Sequence, residues 1–195
     1  YGDKSIDAIN SEARSIVQEL NRIKQTTEYN GINLLSSSGE SVASSGQFIE
    51  EIISRDTSGM TTLASVDETT SQTSGTYSIS TAEELAKLAT MTNNYKICSN
   101  CEFVLADDID LSAYSTGEGW TPIGISNEFT ATFDGNGYVI SNLYINTPSI
   151  NCVGLFRWCN FAEIKNVGLE NVDVTGDYEV GGLMGRGCNV TISNS

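Results

Sequence analysis

Ile140-Ser141-Asn142-Leu143 recurs as Ile164-Lys165-Asn166-Val167 and again as Ile192-Ser193-Asn194-Ser195, at offsets of 24 and 28 residues. Between these copies stand Gly154-Leu155-Phe156-Arg157 and Gly182-Leu183-Met184-Gly185, also 28 residues apart. A unit of this length is too short to bury its own apolar face, so successive copies stack and share one continuous core. In such a stack each Ile lies over its equivalent. Each Asn bridges its amide to corner backbone and to the Asn stacked beside it, and Gly permits corners that a side chain would block. Ile140, Asn142, Gly154, Leu155, Ile164, Asn166, Gly182, Leu183, Ile192 and Asn194 are the expected framework of residues 77–195.

The flanking pattern agrees with a stack of short strands. Pieces at 102–105, 129–133, 138–140, 143–145, 167–169 and 172–174 are strand-like and separated by Gly, Asn and Asp. Thr81-Ala82-Glu83-Glu84 is a capping-box pattern. It predicts a short helix over 83–91 with Leu85, Leu88 and Ala89 on one face.

These residues resemble the repeats called GLUG, for Gly-Leu-hydrophobic-Gly. The copy Gly182-Leu183-Met184-Gly185 matches in full, whereas Arg157 replaces the final Gly of the earlier one. Asp108-Ile109-Asp110-Leu111, Gly119-Trp120-Thr121-Pro122-Ile123-Gly124 and the run from Phe133-Asp134-Gly135-Asn136-Gly137 to Leu143 look like the leader of such β-solenoids in bacterial surface proteins. The resemblance implies a right-handed parallel β-helix opened by a small helical cap, and it carries no catalytic activity with it.

The first 35 residues follow a different rule. Ile6, Ile9, Ala13, Ile16, Leu20 and Ile23 are spaced 3, 4, 3, 4, 3. That is a heptad seam, and a lone helix of roughly 20 residues is marginal in water unless its stripe is covered. No second heptad of matching length follows, so the expected partner lies outside this sequence or in another molecule. The seam runs into Thr26-Thr27-Glu28-Tyr29-Asn30-Gly31-Ile32-Asn33-Leu34-Leu35. β-Branched Thr26 and Thr27 weaken a helix end, Asn30-Gly31 is a favoured turn pair, and Leu34-Leu35 can pack back.

By its residues alone this is a generic helix–turn unit. As a motif it resembles the amino-terminal region of bacterial flagellins, where a coiled-coil helix ends in E-I-x-R-I-x-x-T-T-x-F-N-G-x-x-L-L. The resemblance covers residues 5–35. It implies self-assembly through Ile6, Ile9, Ala13, Ile16, Leu20 and Ile23, with Glu19 as the position that innate-immune receptors would sense. It departs from the family pattern in opening at Tyr1 without a preceding helix, and in lacking a Q-V-G-A-N strand after Leu35. Residues 36–76 are dense in Ser, Thr and Gly around Phe48-Ile49-Glu50-Glu51-Ile52-Ile53 and read as a linker.

The expected fold class is therefore mixed and β-dominated. An amino-terminal coiled-coil-type helix (1–35) and a linker (36–76) precede a right-handed parallel β-helix with a short helical cap (77–195), cut inside a repeat at its carboxy terminus. The exposed last rung is expected to fray or aggregate.

Charge and residue types narrow the function. Against 25 Asp+Glu stand 10 Lys+Arg, a net charge of −15, which opposes phosphate backbones and anionic lipid. No apolar run reaches the 18 or so residues of a membrane span. The chain has no His, which excludes Ser-His-Asp and Cys-His arrangements within it. Asp107, Asp108, Asp110 and Asp134 could be paired carboxylates for sugar hydrolysis, but Asp in turns between strands is the commoner reading. They also lack Ca²⁺-loop spacing.

Cys98-Ser99-Asn100-Cys101 reads as a local disulfide or two free thiols, with a metal site third. Cys159 and Cys188, 29 residues apart, are either a disulfide across rungs or two unpaired thiols. Trp120 and Trp158 either stack on sugar rings or plug the core. No catalytic residue, cofactor or metal is expected.

The function these readings give is structural: a fragment of an extracellular flagellar filament subunit that associates with copies of itself. Host innate-immune receptors and surface glycans are further partners for its outer domain. The alternative is an adhesin or surface-enzyme passenger at the bacterial cell surface.

Overall fold

The computed structural model describes residues 28–29, 32–33, 55–67, 74–95, 97 and 99–195. The chain divides into two compact units, Tyr1–Arg55 and Asp56–Ser195. In the first unit β1 (Glu28–Tyr29) pairs antiparallel with β2 (Ile32–Asn33), Tyr29 opposite Ile32. The residues between them in sequence are Asn30-Gly31, the pair best suited to a tight hairpin turn.

The second unit opens with β3 (Thr61–Thr62), β4 (Gly75–Ile79), α1 (Ala82–Asn94), β5 (Cys101–Leu105) and β6 (Ile109–Asp110). It continues with β7 (Thr132–Asp134), β8 (Val139–Ser141), β9 (Tyr144–Asn146), β10 (Phe156–Asn160) and β11 (Glu163–Lys165). Last come β12 (Gly168–Glu170), β13 (Asp173–Thr175), β14 (Met184–Cys188) and β15 (Thr191–Ser193). Strand pairing within this unit is parallel and builds four sheets, ordered β15-β11-β7-β5-β4-β3, β12-β8-β6, β13-β9 and β10-β14. From β4 onward, paired residues are 26 to 31 positions apart, so each strand lies against its counterpart in the next coil.

Inward side chains form columns across the coils. Tyr77, Phe103, Phe133, Ile164 and Ile192 are successive partners in the long sheet. Ile109, Ile140 and Leu169 do the same in the second, and Ile145 and Val174 in the third. Phe129 and Phe133 pack on Phe156 with ring centroids 5.1 and 5.2 Å away, and all three are fully buried. Each such side chain adds about 1.5–3 kcal/mol of burial.

Helix α1 follows from its cap. Thr81 Oγ1 accepts from the Glu84 amide at 3.2 Å. The Glu84 carboxylate accepts from the Ser80 amide, from Thr62 Oγ1 (2.8 Å) and from the Ala64 amide (3.3 Å). One buried carboxylate thus fixes the helix start and ties it to the β3 region. Leu85, Leu88 and Met91, on the same buried stripe of the helix, lie in the core.

The expected fold class requires correction. The described residues are β-dominated with parallel sheets, and the one α-helix among them is α1. No amino-terminal coiled-coil helix is among them. The seam Ile6, Ile9, Ala13, Ile16, Leu20 and Ile23, with Glu19, lies outside the described residues. What stands is the coarser class, not a coiled-coil helix joined to a right-handed β-helix. The long sheet also begins earlier than residue 77, since β3 is already its edge strand.

Candidate functional site

The site with most polar character left unmatched is built around Trp120. Gly119 (φ 83°) brings the chain against Tyr144, where an added Cβ would sit 2.1 Å from the Tyr144 carbonyl oxygen. A side chain cannot be accommodated there. The Trp120 amide then donates to that same carbonyl at 2.8 Å, and Tyr114 meets the indole edge-on at 5.2 Å. Further along, the Ile123 amide donates to the Leu155 carbonyl (3.0 Å), and the Arg157 amide to the Ile123 carbonyl (2.7 Å). The 119–124 segment is thereby laid alongside β10 and its approach.

A cleft of about 230 Å³ opens there, with Glu118, Trp120, Thr121, Thr147, Ile150 and Arg157 in its wall. Trp120 is 2% exposed, and its Nε1 has no acceptor among the described residues. Arg157 Nε is buried and likewise without an acceptor, while its guanidinium carbon lies 5.9 Å from the ring centre of half-exposed Trp158. Buried donors are nearly always satisfied in folded proteins, so two around one cleft are notable.

Arg157 also marks the break in the repeat. Its equivalent in the next coil is Gly185, whose added Cβ would lie 2.3 Å from the Cys152 carbonyl carbon. Gly is required where two backbones meet. One coil earlier that constraint is absent, and a long cationic side chain borders a cleft instead. The irregularity was visible in the sequence, but its place beside Trp120 was not.

The framework residues fall into two columns rather than one. Ile164 and Ile192 are direct partners, whereas Ile140 lies between Ile109 and Leu169. The 28-residue offset is one coil, and the 24-residue offset joins neighbouring corners of different coils. The amides follow the same rule. Asn194 Nδ2 donates to Asn166 Oδ1 (3.3 Å), and Asn166 Nδ2 to Asp134 Oδ1 (2.9 Å). Asn171 Nδ2 donates to Asn142 Oδ1 (3.4 Å), and Asn142 Nδ2 to Asp110 Oδ1 (2.8 Å).

Each ladder is headed by an Asp. Asn142, Asn166, Asn171 and Asn194 all have φ between 51° and 59°, the left-handed corner that Asn tolerates best after Gly. Gly154 and Leu155 meet Gly182 and Leu183 in the expected order, the Leu155 amide donating to the Gly182 carbonyl at 2.9 Å.

The acidic residues serve corners. Asp108 accepts from the Val139 amide and Asp134 from the Asn136 amide, both at 2.8 Å. Asp110 also accepts from the Ser112 amide and hydroxyl, at 2.9 and 3.0 Å. The Asn142 amide, then those Ser112 groups, hold the Asp110 carboxyl below its ordinary value, with burial opposing weakly. Lys165 Nζ lies 3.8–3.9 Å from Glu102, Asp134 and Glu163, a cluster that only the register brings together. Among the described residues no three His, Cys, Asp or Glu side chains are grouped to hold a metal.

The disulfide reading for Cys159 and Cys188 is corrected by the same register. Cys159 is opposite Gly187, and Cys188 is opposite Asn160. One position out of step, the two side chains fall on opposite faces of the sheet. Both thiols are free, Cys159 buried and Cys188 exposed. Burial pushes the Cys159 thiol up to about 12. Cys101 is also buried, and Cys98 lies outside the described residues.

No family model matches the chain, and no solved structure matches it. Two named relatives do. Halomucin of Haloquadratum walsbyi is 35% identical over 122 residues, 57% of this chain and 1% of that protein. A protein of Evansella cellulosilytica named "Putative Gly-rich membrane protein" is 42% identical over 79 residues, 39% of this chain and 9% of that protein. The matched part is thus a small fraction of either relative.

Proposed function

We propose that the chain is part of a structural subunit of an extracellular bacterial filament of flagellin type. Its amino-terminal seam is the assembling surface, and its stacked parallel sheets are a non-catalytic module displayed outside the filament. The observation that carries this is the ordered run from Ile6 through Thr26-Thr27-Glu28-Tyr29-Asn30-Gly31 to Leu35, a heptad with a specific exit. The sheets support a scaffold role, because Asp108, Asp110 and Asp134 are engaged in holding corners.

Antibodies raised against residues 56–195 and applied to intact source cells test the proposal. Filaments labelled along their length are expected, and Leu20→Asp in the native gene should abolish those filaments while leaving the protein detectable. Label on the cell wall alone, with Leu20→Asp harmless, would sink it. That outcome belongs to a second reading, a segment of a much longer cell-surface protein. The small share of both relatives that the chain spans favours it, as does the printed name of the Evansella protein.

A further inference from the structure

We propose that Asn189 is the acceptor of an asparagine-linked glycan. Asn189-Val190-Thr191 is the one complete Asn-X-Ser/Thr triplet in the sequence whose middle residue is not Pro. Such a triplet marks a glycan acceptor when it lies on the surface of an exported chain. Three-residue motifs recur by chance, so the weight of the argument rests on the corner that holds this one.

Asn136, Asn142, Asn166, Asn171, Asn189 and Asn194 all stand at left-handed corners, with φ between 51° and 59°. Five of them commit the side-chain Nδ2 to the preceding coil. Asn136 donates to the Leu105 carbonyl, and Asn142, Asn166, Asn171 and Asn194 donate to an Asp or Asn side chain. Asn189 cannot do the same. One coil back its place is taken by Phe161 (φ 50°), whose ring offers no acceptor. The alignment is fixed by Asn160 pairing with Cys188 and by the Phe161 amide donating to the Cys188 carbonyl at 3.0 Å. Asn189 Nδ2 instead lies 3.4 Å from the Sγ of adjacent Cys188, a weak acceptor. The atom a glycan would take is thus the one corner amide that the stack leaves unspent.

Access fits the same role. Asn189 and Thr191 are exposed, while Val190 between them packs on the core, so the amide and the hydroxyl of the triplet share the solvent side. Phe161, at the neighbouring corner, is 71% exposed and gives the C–H face of a first sugar an apolar surface to rest on. Transfer replaces one Nδ2–H bond with a bond from Nδ2 to the anomeric carbon of a glycan carried on a lipid phosphate. The anomeric C–O bond breaks, and the displaced proton ends on the released phosphate. The donor lipid and the transferase belong to the cell's export route.

The proposal needs only placement outside the cell, which both readings of function share, and is independent of filament assembly. Its test is the mass of the tryptic fragment that begins at Gly187, taken from protein purified from source cells. An increment built of sugar residues is expected, located on Asn189 by electron-transfer fragmentation. In the native gene, Thr191→Ala should abolish that increment and Thr191→Ser should keep it, because the motif requires a hydroxyl two residues on. Asn189→Asp should also abolish it while leaving a residue that tolerates the left-handed corner, so loss of the glycan is separated from loss of the fold. An unmodified Asn189 in the wild-type protein overturns the proposal. So does a glycan carried on Thr191 instead, or one that persists on Asn189 in Thr191→Ala. A glycan on Asn189 in cells without labelled filaments would uphold this proposal while the filament reading fails.

Discussion

Ile164 and Ile192 occupy the same position in consecutive coils and face each other in register, yet one is fully buried and the other is 45% exposed. The contrast holds across the unit. At its amino-terminal end α1 and the turn at Leu63–Ser65 close the core, and Leu63, Leu85 and Leu88 are fully buried. At the carboxy-terminal coil Leu169, Val174, Leu183, Met184 and Val190 are only half-buried, and Val172 and Val180 are exposed. The residues at the two ends are equally apolar. In a stack, burial belongs to having neighbours on both sides, and among the described residues Ile192 has its partner Ile164 on one side alone.

The strongest way to break this comparison is one substitution made twice. Ile164→Ala removes a side chain with covered neighbours above and below, and should cost about 2–5 kcal/mol in a denaturant melt. Ile192→Ala deletes the same atoms from a half-open site and should cost roughly 1 kcal/mol or less, since much of the area is already hydrated. Equal losses would mean that the last coil is covered in solution, and would favour association through that edge.

A smaller effect separates the ladders from the backbone that carries them. Asn166 has φ 55°, donates to Asp134 and accepts from Asn194. Asn166→Ala combines about 1–2 kcal/mol of left-handed strain with roughly 1 kcal/mol for lost hydrogen bonding. Asn166→Gly should relieve the strain and keep only the second loss. Asn194, whose amide reaches Asn166 alone among the described Asn and Asp side chains, should be less sensitive to the same pair of changes. If Ala and Gly are equally damaging at 166, the corner is not what makes Asn necessary.

Why the sequence revealed the stack but not its register is clear from the same residues. The 28-residue offset of Ile164 and Ile192 reports a full coil, and stacking follows from it. Ile140-Ser141-Asn142 resembles Ile164-Lys165-Asn166 because both end in an Asn corner, a local similarity that cannot say which of two corners is meant. Cys159 and Cys188 failed for a related reason. A spacing one residue longer than the coil reverses the facing of a side chain in a sheet. The helix at α1 was legible because its cap is local, Thr81 to Glu84. The cleft was not, since Trp120 and Arg157 come to one wall only through long-range pairing of Ile123 with the chain around Phe156. Its one signal was Arg157 in place of a Gly.

The smallest expected effect lies where one ladder begins. Asp110 accepts from Asn142 at its head, and those hydrogen bonds hold its carboxyl below the ordinary value. A depressed folded-state value means that its contribution is present above about pH 4, where the unfolded carboxylate is also ionised. It is lost as pH falls further, through the lower folded value. The wild-type melting temperature should therefore drop more between pH 5 and pH 3 than that of Asp110→Asn, which keeps an acceptor toward Ser112 and Asn142 but cannot titrate. Because the group is solvent-exposed, the difference should be modest and shrink with added salt. Identical drops in the two proteins would show that the ladder is held by its corners alone. The head of the ladder would then be no more pH-sensitive than its tail at Asn171.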